Sequence, residues 1–596
     1  MPVVRALVLL VALHGPQSSG TAQSAPAQAA PRIAETVVVT ATAAPVPETS
    51  LGRVVATVTG DDLARLGIAH VADALRLVAG VDVRARGPHD VQTDFSVRGA
   101  TFGQQLVLVD GLRLNDSQSG HHNGDIPTPL VAIDRIEVVP GGGSGVHGAD
   151  ALGGTINVLT RRDPHAILRA TVGQHGLVTG QASLSGRWVP ASWTVAGWGS
   201  RSSGFTFDRD FALGGVSARG RAGRGWLLDL RHQRKAFGAN GFYGPSPSKE
   251  WTDQTLGAVV WRRSAGSWYG EATVAWRNHG DHFRWDINRP GFAENRHRTN
   301  AVSVEAKAHR DLGAGVRLAA GTGGGSDWVR STNLGDHDYQ RAHAFVELQT
   351  PVGTRGAVAG SVRFDGYSTF GRSWSPALSA GVWITPAVRV RASAARAFRV
   401  PTFTELYYRD PSNLGRSDLA AERGWSLDGG LDWTSGGWTI GATPFVRWDE
   451  NVIDWVRPTP ADVWRSTNVR DVTSRGLETA ATRRWLETFV RGHYTYLEVS
   501  APALSLLSKY VLEYPTHVIG VSLAGPLPGR LRTGLTVDHR RRLDGQVYTL
   551  VGARIARPVG RAEISVEGTN LLNERYHEVA GVAMPGRWLA AGVLVR

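Results

Sequence analysis

From about residue 165 onward the chain alternates apolar and polar residues with a period of two, and all twenty tryptophans fall at or beyond Trp188. In Trp268 to Arg277, Trp268, Gly270, Ala272, Val274 and Trp276 alternate with Tyr269, Glu271, Thr273, Ala275 and Arg277. One face suits lipid and the other water, as in a strand of a transmembrane barrel. The two indoles are separated by roughly 20 Å of membrane height on a tilted strand, close to the spacing of two interfacial aromatic girdles. Val302, Val304, Ala306 and Ala308 repeat the scheme against Ser303, Glu305, Lys307 and His309. A soluble sandwich alternates too, but it does not place Glu, Lys and Arg so regularly on an enclosed face while glycine and alanine point outward. No apolar run reaches the roughly 18 to 20 residues that a membrane-spanning helix requires, so any crossing is made by strands.

The absence of cysteine excludes disulfides, thiol catalysis and thiolate metal sites. The formal charge of +13 comes from arginines scattered through the alternating segments rather than from a compact basic helix, which argues against nucleic acid. Anionic headgroups of outer-membrane lipid and lipopolysaccharide around a barrel rim are the expected counterpart.

Four regions follow along the chain. Residues 1–29 open with Arg5, the short apolar run Ala6 to Leu13 and then small residues, the pattern of an export signal. Residues 30–50 are rich in Ala, Pro and Thr, a composition that builds no core, so a mobile arm is expected. Within it Glu35, Thr36, Val37, Val38, Val39 and Thr40 form a β-branched run with no partner strand nearby, suited to adding itself to another protein's sheet edge. Residues 51–167 read as a compact mixed α+β domain. There Asp61 is expected to cap a helix ending before Gly67, and a second helix from His70 to Val78 places Val71, Ala74, Leu75 and Val78 on one face. Asp110-Gly111 between two apolar runs predicts a hairpin. Strands are expected over Ile136 to Val139 and Thr155 to Thr160. Residues 168–596 form the barrel.

Gly143 to Gly148 fits the G-x-G-x-x-G pattern of dinucleotide binding, but Gly153-Gly154 and β-branched Thr155 and Ile156 interrupt the long helix that such a fold demands. No cofactor is expected. His121-His122-Asn123-Gly124-Asp125 and His279-Gly280-Asp281-His282 each suggest a metal, yet neighbouring histidines diverge in an extended chain and spacing places no third ligand. No metal site is assigned on these segments. No catalytic triad, H-E-x-x-H pair or carboxylate dyad stands out, and an enzyme is not expected.

Together the segments resemble the TonB-dependent outer-membrane receptors. Glu35 to Ala41 looks like the TonB box. Phe95-Ser96-Val97-Arg98-Gly99, Val107 to Gly111, Ile133 to Val139 and Gly148 to Val158 look like successive plug signatures in family order, while Ala397 to Tyr407 and Thr569 to Tyr576 resemble the receptor barrel. The resemblance implies an all-β transmembrane barrel of about 22 antiparallel strands with the mixed plug inside it. Residues 168–596 then supply roughly twenty residues per strand and connection. Two departures stand out. Pro140 follows Glu137-Val138-Val139 where the family usually has Arg, so a plug-to-barrel ion pair is not carried over there. No histidine lies between Pro401 and Glu422, which argues against haem.

The resemblance also implies a monomeric, energy-coupled importer of the outer membrane whose arm is engaged by TonB and its inner-membrane motor. Candidate capture residues are His121, His122 and Asn123 at the plug apex, Phe242 and Tyr243 in one loop, Phe283, Arg284 and Trp285 in another, and Tyr407 and Tyr408 in a third. The compact length and the loop Ser117 to Pro127 are similar to vitamin B12 receptors, so a corrinoid is the expected solute and a ferric siderophore the alternative. A passive porin or adhesin barrel is the rival of another class, and it leaves the plug-like domain and the arm unexplained.

Overall fold

A computed structural model of the chain describes residues 37–469, 471–501 and 506–596. The expected export signal, Glu35 and Thr36 lie outside the described residues. Twenty-two antiparallel strands, from His165–Gly173 to Trp588–Val595, close into a barrel, with the first strand pairing the last through Leu168 opposite Val595 and Gly173 opposite Ala590. At one end the strands are joined by tight turns such as Gly266-Ser267 and Gly436-Gly437. At the other, long connections carry short strands of their own. Short turns at one rim and long loops at the other are the asymmetry of outer-membrane barrels, whose long loops face outward from the cell.

The period-two pattern sorts as expected. Leu168, Val172, Val274 and Val304 are exposed on the outer face, while Arg277, Thr299 and Gln254 are buried on the inner one. Trp188, Trp226, Trp268 and Trp485 stand exposed beside the short turns. Trp276, Trp374, Trp425 and Trp448 stand outward nearer the long loops, with Trp425 and Trp448 as cross-strand partners. Indoles are favoured at both interfaces because each has an apolar body and a polar N–H.

Inside sits a mixed domain. Its five-stranded sheet has the order Ala56–Thr59, Ile133–Pro140, Gly154–Thr160, Gln105–Val109, Leu112–Arg113, and a second hairpin pairs Val81–Ala85 with Thr93–Val97. Asp110 and Gly111 turn the predicted hairpin, both at positive φ, as a two-residue turn with matching twist requires. Helix Gly60–Leu66 ends at Gly67 in the left-handed region. Its cap is Thr59, whose hydroxyl accepts from the Asp62 N–H, and not Asp61: the helix starts two residues earlier than the sequence pattern suggests. The second helix is shorter than expected, Val71–Leu75, yet Val71, Ala74, Leu75 and Val78 all bury into the plug core. Where a dinucleotide fold would need a long helix after the glycine run, the chain makes only Ser144–His147.

Two expectations are corrected by packing. The arm is not free over residues 37–50. Val37–Val38 pairs with Val46–Pro47, so the missing partner strand is the arm's own next segment. Thr40 is buried, its hydroxyl donating to Glu137 Oε2 at 2.5 Å and accepting from Asn157 Nδ2 at 3.0 Å. His147 Nε2 lies 2.7 Å from the Thr40 carbonyl. Small and β-branched residues are sealed here because the barrel offers them a wall and Glu137 offers a partner. The basic charge is likewise not reserved for the rim. Arg231 meets Asp110 at 2.6 Å, Arg540 meets Asp82 at 2.6 Å and Arg277 meets Asp116 at 3.0 Å, each an inward barrel arginine on a plug carboxylate. A buried carboxylate is tolerated only when it is paired, and the inner wall supplies the partners.

Candidate functional site

The plug apex and the long loops enclose a cavity of about 160 Å³. Its floor is the turn Gly120–His122, entered from Ser119, whose hydroxyl accepts from the His121 N–H. His121 stacks on Phe102 with ring centres 4.1 Å apart, and its Nδ1 lies 2.9 Å from Asp94 Oδ1. Burial favours the neutral carboxyl of Asp94, but His121 and Arg86, the latter at 2.7 Å, outweigh it and hold the group down at about 2. Burial also lowers His121, against the pull of Asp94. For its neighbour His122, burial is overcome by the hydrogen bond and charge of Asp281, with Asp116 and Asp125 adding, and the imidazole is pushed up to about 9.

The walls come from the barrel's loop-side ends. Tyr243 accepts from Gln92 Nε2 at 2.5 Å, donates to Glu250 Oε2 at 3.2 Å, and meets Phe283 edge to face at 5.3 Å. Phe283 in turn abuts Trp285, and Tyr408 accepts from Asn295 Nδ2 at 3.3 Å. A four-stranded sheet built from three different loops, Asn413–Leu414, Trp464–Val469, Val452–Arg457 and Leu507–Ser508, contributes Asn413 and Trp455 to the lining, with Lys509 and Tyr510 immediately beyond it. Burial, with the charge of Arg86 adding, pulls the Lys509 ammonium down to about 8, and it faces the rings of Trp455, Trp464 and Tyr510.

Of the residues selected from the sequence, His121, His122, Tyr243, Phe283, Trp285 and Tyr408 line this cavity. Four do not. Asn123 is buried and turned inward, accepting from the Asp116 N–H at 3.0 Å to shape its own loop. Phe242 packs under Arg209 in a separate cluster with Phe211 and Phe237. Arg284 pairs with Glu294 at 2.5 Å and covers Trp251. Tyr407 stacks on His337 with ring centres 3.6 Å apart. Sequence reading passed over Gln92, Phe102, Trp455, Lys509 and Tyr510. Trp455 and Tyr510 had one signal available, aromatic residues inside stretches where the barrel alternation breaks down.

A second cavity of about 230 Å³ lies between the helices Gly60–Leu66 and Val71–Leu75 and the barrel wall near Arg554 and Trp588, and none of the ten residues lines it. The aromatic faces and hydrogen-bonding groups around the upper cavity suit it to holding a solute.

Comparison with known proteins places this architecture. Residues 168–571 match the family model described as TonB dependent receptor-like, beta-barrel, and residues 47–155 match the TonB-dependent Receptor Plug Domain. A vitamin B12 transporter, BtuB, of Photobacterium profundum is 25% identical over 453 residues, 72% of each chain. Its counterpart in Vibrio vulnificus is 26% identical over 483 residues, 75% of each. Among solved structures, the siderophore receptor PirA from Acinetobacter baumannii superposes with a TM-score of 0.76 at 15% identity, covering 92% of this chain and 98% of its own. The ferric enterobactin receptor PfeA from Pseudomonas aeruginosa, as a G324V mutant, does so with 0.74 at 16%, covering 94% and 100%. At those identities the structural likeness speaks for the fold alone. With the barrel and plug both matched in order around a closed 22-stranded wall, this chain belongs to the TonB-dependent receptor family and is a TonB-dependent transporter of the outer membrane.

Proposed function

We propose that the transporter imports a corrinoid. The observation that carries the reading is the chemistry of the apical cavity. Glu250, Asp281, Glu405 and Asp410 line it beside Lys509, with His122 3.5 Å from Asp281 and Arg399 2.9 Å from Glu405, so hydrogen-bonding groups crowd a wall of little net charge. Such a lining offers acceptors to the amide groups on a corrinoid's rim and aromatic faces to its ring, and it holds no cluster of unpaired cations for a ferric chelate of net negative charge. The relatives with vitamin B12 transporter in their names point the same way. The alternative, a ferric siderophore, is favoured only by the folds of PirA and PfeA. Small-molecule sites run to roughly 300–1,000 Å³, so a bulky solute enters when the three-loop sheet parts from the plug apex. In this reading residues 36–40 are the strand that TonB takes up, and the ion pairs between plug and wall hold the domain against leakage until it does. The protein binds and moves its solute without chemistry on it.

Purified transporter titrated by intrinsic fluorescence is expected to bind a corrinoid at least ~10-fold more tightly than ferric siderophores, a difference of about 1.4 kcal/mol. Trp285 and Trp455 line the cavity, so the Trp285→Phe/Trp455→Phe variant is expected to lose most of the signal. Tight binding of a ferric chelate with no response to a corrinoid reverses the assignment.

A further inference from the structure

Two sequence segments that separately lack a third metal ligand meet at the base of the apical cavity. The plug loop brings His122 and Asp125, and the facing strand Trp268–Arg284 brings His279 and Asp281. All four are buried, with His279 fully so. Donor atoms of His122, Asp125 and His279 lie within 4.8 Å of one another. His279 Nε2 is 3.8 Å from Asp125 Oδ2. Donors around a tetrahedral zinc ion with bonds of 2.0–2.2 Å sit about 3.3–3.5 Å apart, so a closure of a few tenths of an ångström at that pair brings it to ligating distance.

We propose that His122, His279 and Asp125 form a binding site for a divalent transition-metal ion, clamped between the plug apex and the barrel wall. Three further observations support it. His279 Nδ1 lies 2.7 Å from Asp116 Oδ2, though off the ideal hydrogen-bond line. Asp116 is itself fixed by Arg277 at 3.0 Å, Thr299 at 3.0 Å and the Gln118 N–H at 2.8 Å. A carboxylate behind an imidazole is the arrangement that orients a histidine ligand and raises its basicity. The other nitrogen, Nε2, is buried without a hydrogen-bond partner and is the atom that approaches Asp125. Asp125 is divided in the same sense: Oδ1 takes Lys235 Nζ at 2.7 Å, while Oδ2, which accepts from the Thr252 hydroxyl at the long distance of 3.4 Å, faces the cluster.

Charge agrees. Asp116, Asp125 and Asp281 gather around the two imidazoles, with Lys235 and Arg277 as their fixed cations, while Arg86 and Asp94 compensate each other nearby. Carboxylates thus outnumber the fixed cations around the imidazoles, which favours a cation between them. Two nitrogens and a carboxylate suit ions of the zinc, nickel or cobalt class, not calcium or magnesium. The ion ties loop 117–127 to the wall and so fixes the position of His121 in the cavity floor. The proposal is independent of which solute the cavity takes.

The test uses full-length protein in detergent, stripped with chelator. Calorimetric titration with Zn²⁺ is expected to show one tight ion per chain above the background of a His122→Gln/His279→Gln variant. Co²⁺ is expected to give the intense visible absorption of a four- or five-coordinate site, and excess Ca²⁺ or Mg²⁺ is expected not to displace it. Asp116→Asn should weaken binding by about 10–100-fold by removing support for His279, whereas Glu250→Gln should leave it within a few fold. Heat-modifiable gel mobility reports that each variant is folded, and the wild-type Co²⁺ spectrum requires no variant at all. The assignment is overturned by absence of the cobalt band, by equal Zn²⁺ binding in the double variant, by displacement with Ca²⁺, or by binding that survives in His279→Gln and is lost in Glu250→Gln.

Discussion

Cells carrying the transporter without residues 36–40 are expected to bind solute at their surface with unchanged affinity and to import none of it. Capture uses the apical cavity, whereas Thr40 of the deleted segment is held by Glu137, Asn157 and His147, none of which lines that cavity. Uptake and surface binding of radiolabelled solute, measured on the same cells, separate the two steps. Parallel loss of both would show that the arm shapes the cavity rather than coupling it. The way Thr40 is held adds a second expectation. Its hydroxyl bridges Glu137 and Asn157, and the Val39 N–H also donates to Glu137 at 3.2 Å, so the strand is masked from any external sheet edge. Thr40→Val removes the bridge while keeping the shape. A net contribution of about 1–3 kcal/mol for a buried hydrogen bond to a charged group predicts roughly a 5- to 150-fold gain in affinity of the resting transporter for the periplasmic part of TonB. An unchanged affinity in solution would mean that the latch is not what limits access.

The largest expected loss of stability comes from Arg98→Met. Arg98 belongs to a plug signature, and its guanidinium reaches the wall, where Nε and Nη2 donate to the two oxygens of Glu478 at 2.9 and 2.8 Å and Nη1 donates to Asp428 at 3.3 Å. All three groups are almost fully buried. Removing the cation leaves two buried carboxylates without their counter-charge, at about 3–5 kcal/mol. Gly80 shows how tightly this junction is packed: it sits in the left-handed region with φ +77, and a Cβ there would fall 1.9 Å from Glu478 Oε1. The expected result is a lowered thermal midpoint and faster proteolysis of the plug in a barrel that still runs as a folded species on a gel. Restoring the balance with Glu478→Gln in the same chain should recover part of the loss. Wild-type resistance in Arg98→Met alone would show that the plug is held by its other pairs, such as Asp110 with Arg231. With proline at position 140, Arg98 is the plug cation that meets the wall here, one of several plug-to-barrel pairs.

The barrel was legible because each strand states its two faces locally. Trp268 to Arg277 carries its lipid side, its wet side and its interfacial indoles within ten residues, and no partner strand is needed to read them. The hairpin at Asp110-Gly111 and the buried face of Val71, Ala74, Leu75 and Val78 are local in the same sense. The cavity residues Tyr243, Trp285 and Tyr408 are legible as aromatics in long connections, whereas Phe283 and Arg284, expected in a loop, are the last residues of the strand Trp268–Arg284, which the paired wall extends that far. What closure of the sheet decided is which of them face inward: Tyr407 and Tyr408 are adjacent, yet one stacks on His337 and the other lines the cavity. The latch on Thr40 depends on Glu137, about a hundred residues away, and the Arg98 junction spans nearly four hundred. His122 and His279 looked insufficient because each segment shows only its own ligands. Sequence spacing measures distance along a chain, whereas a coordination site, an ion pair or a latch needs distance across a barrel, and only closing the 22 strands around the plug determines that.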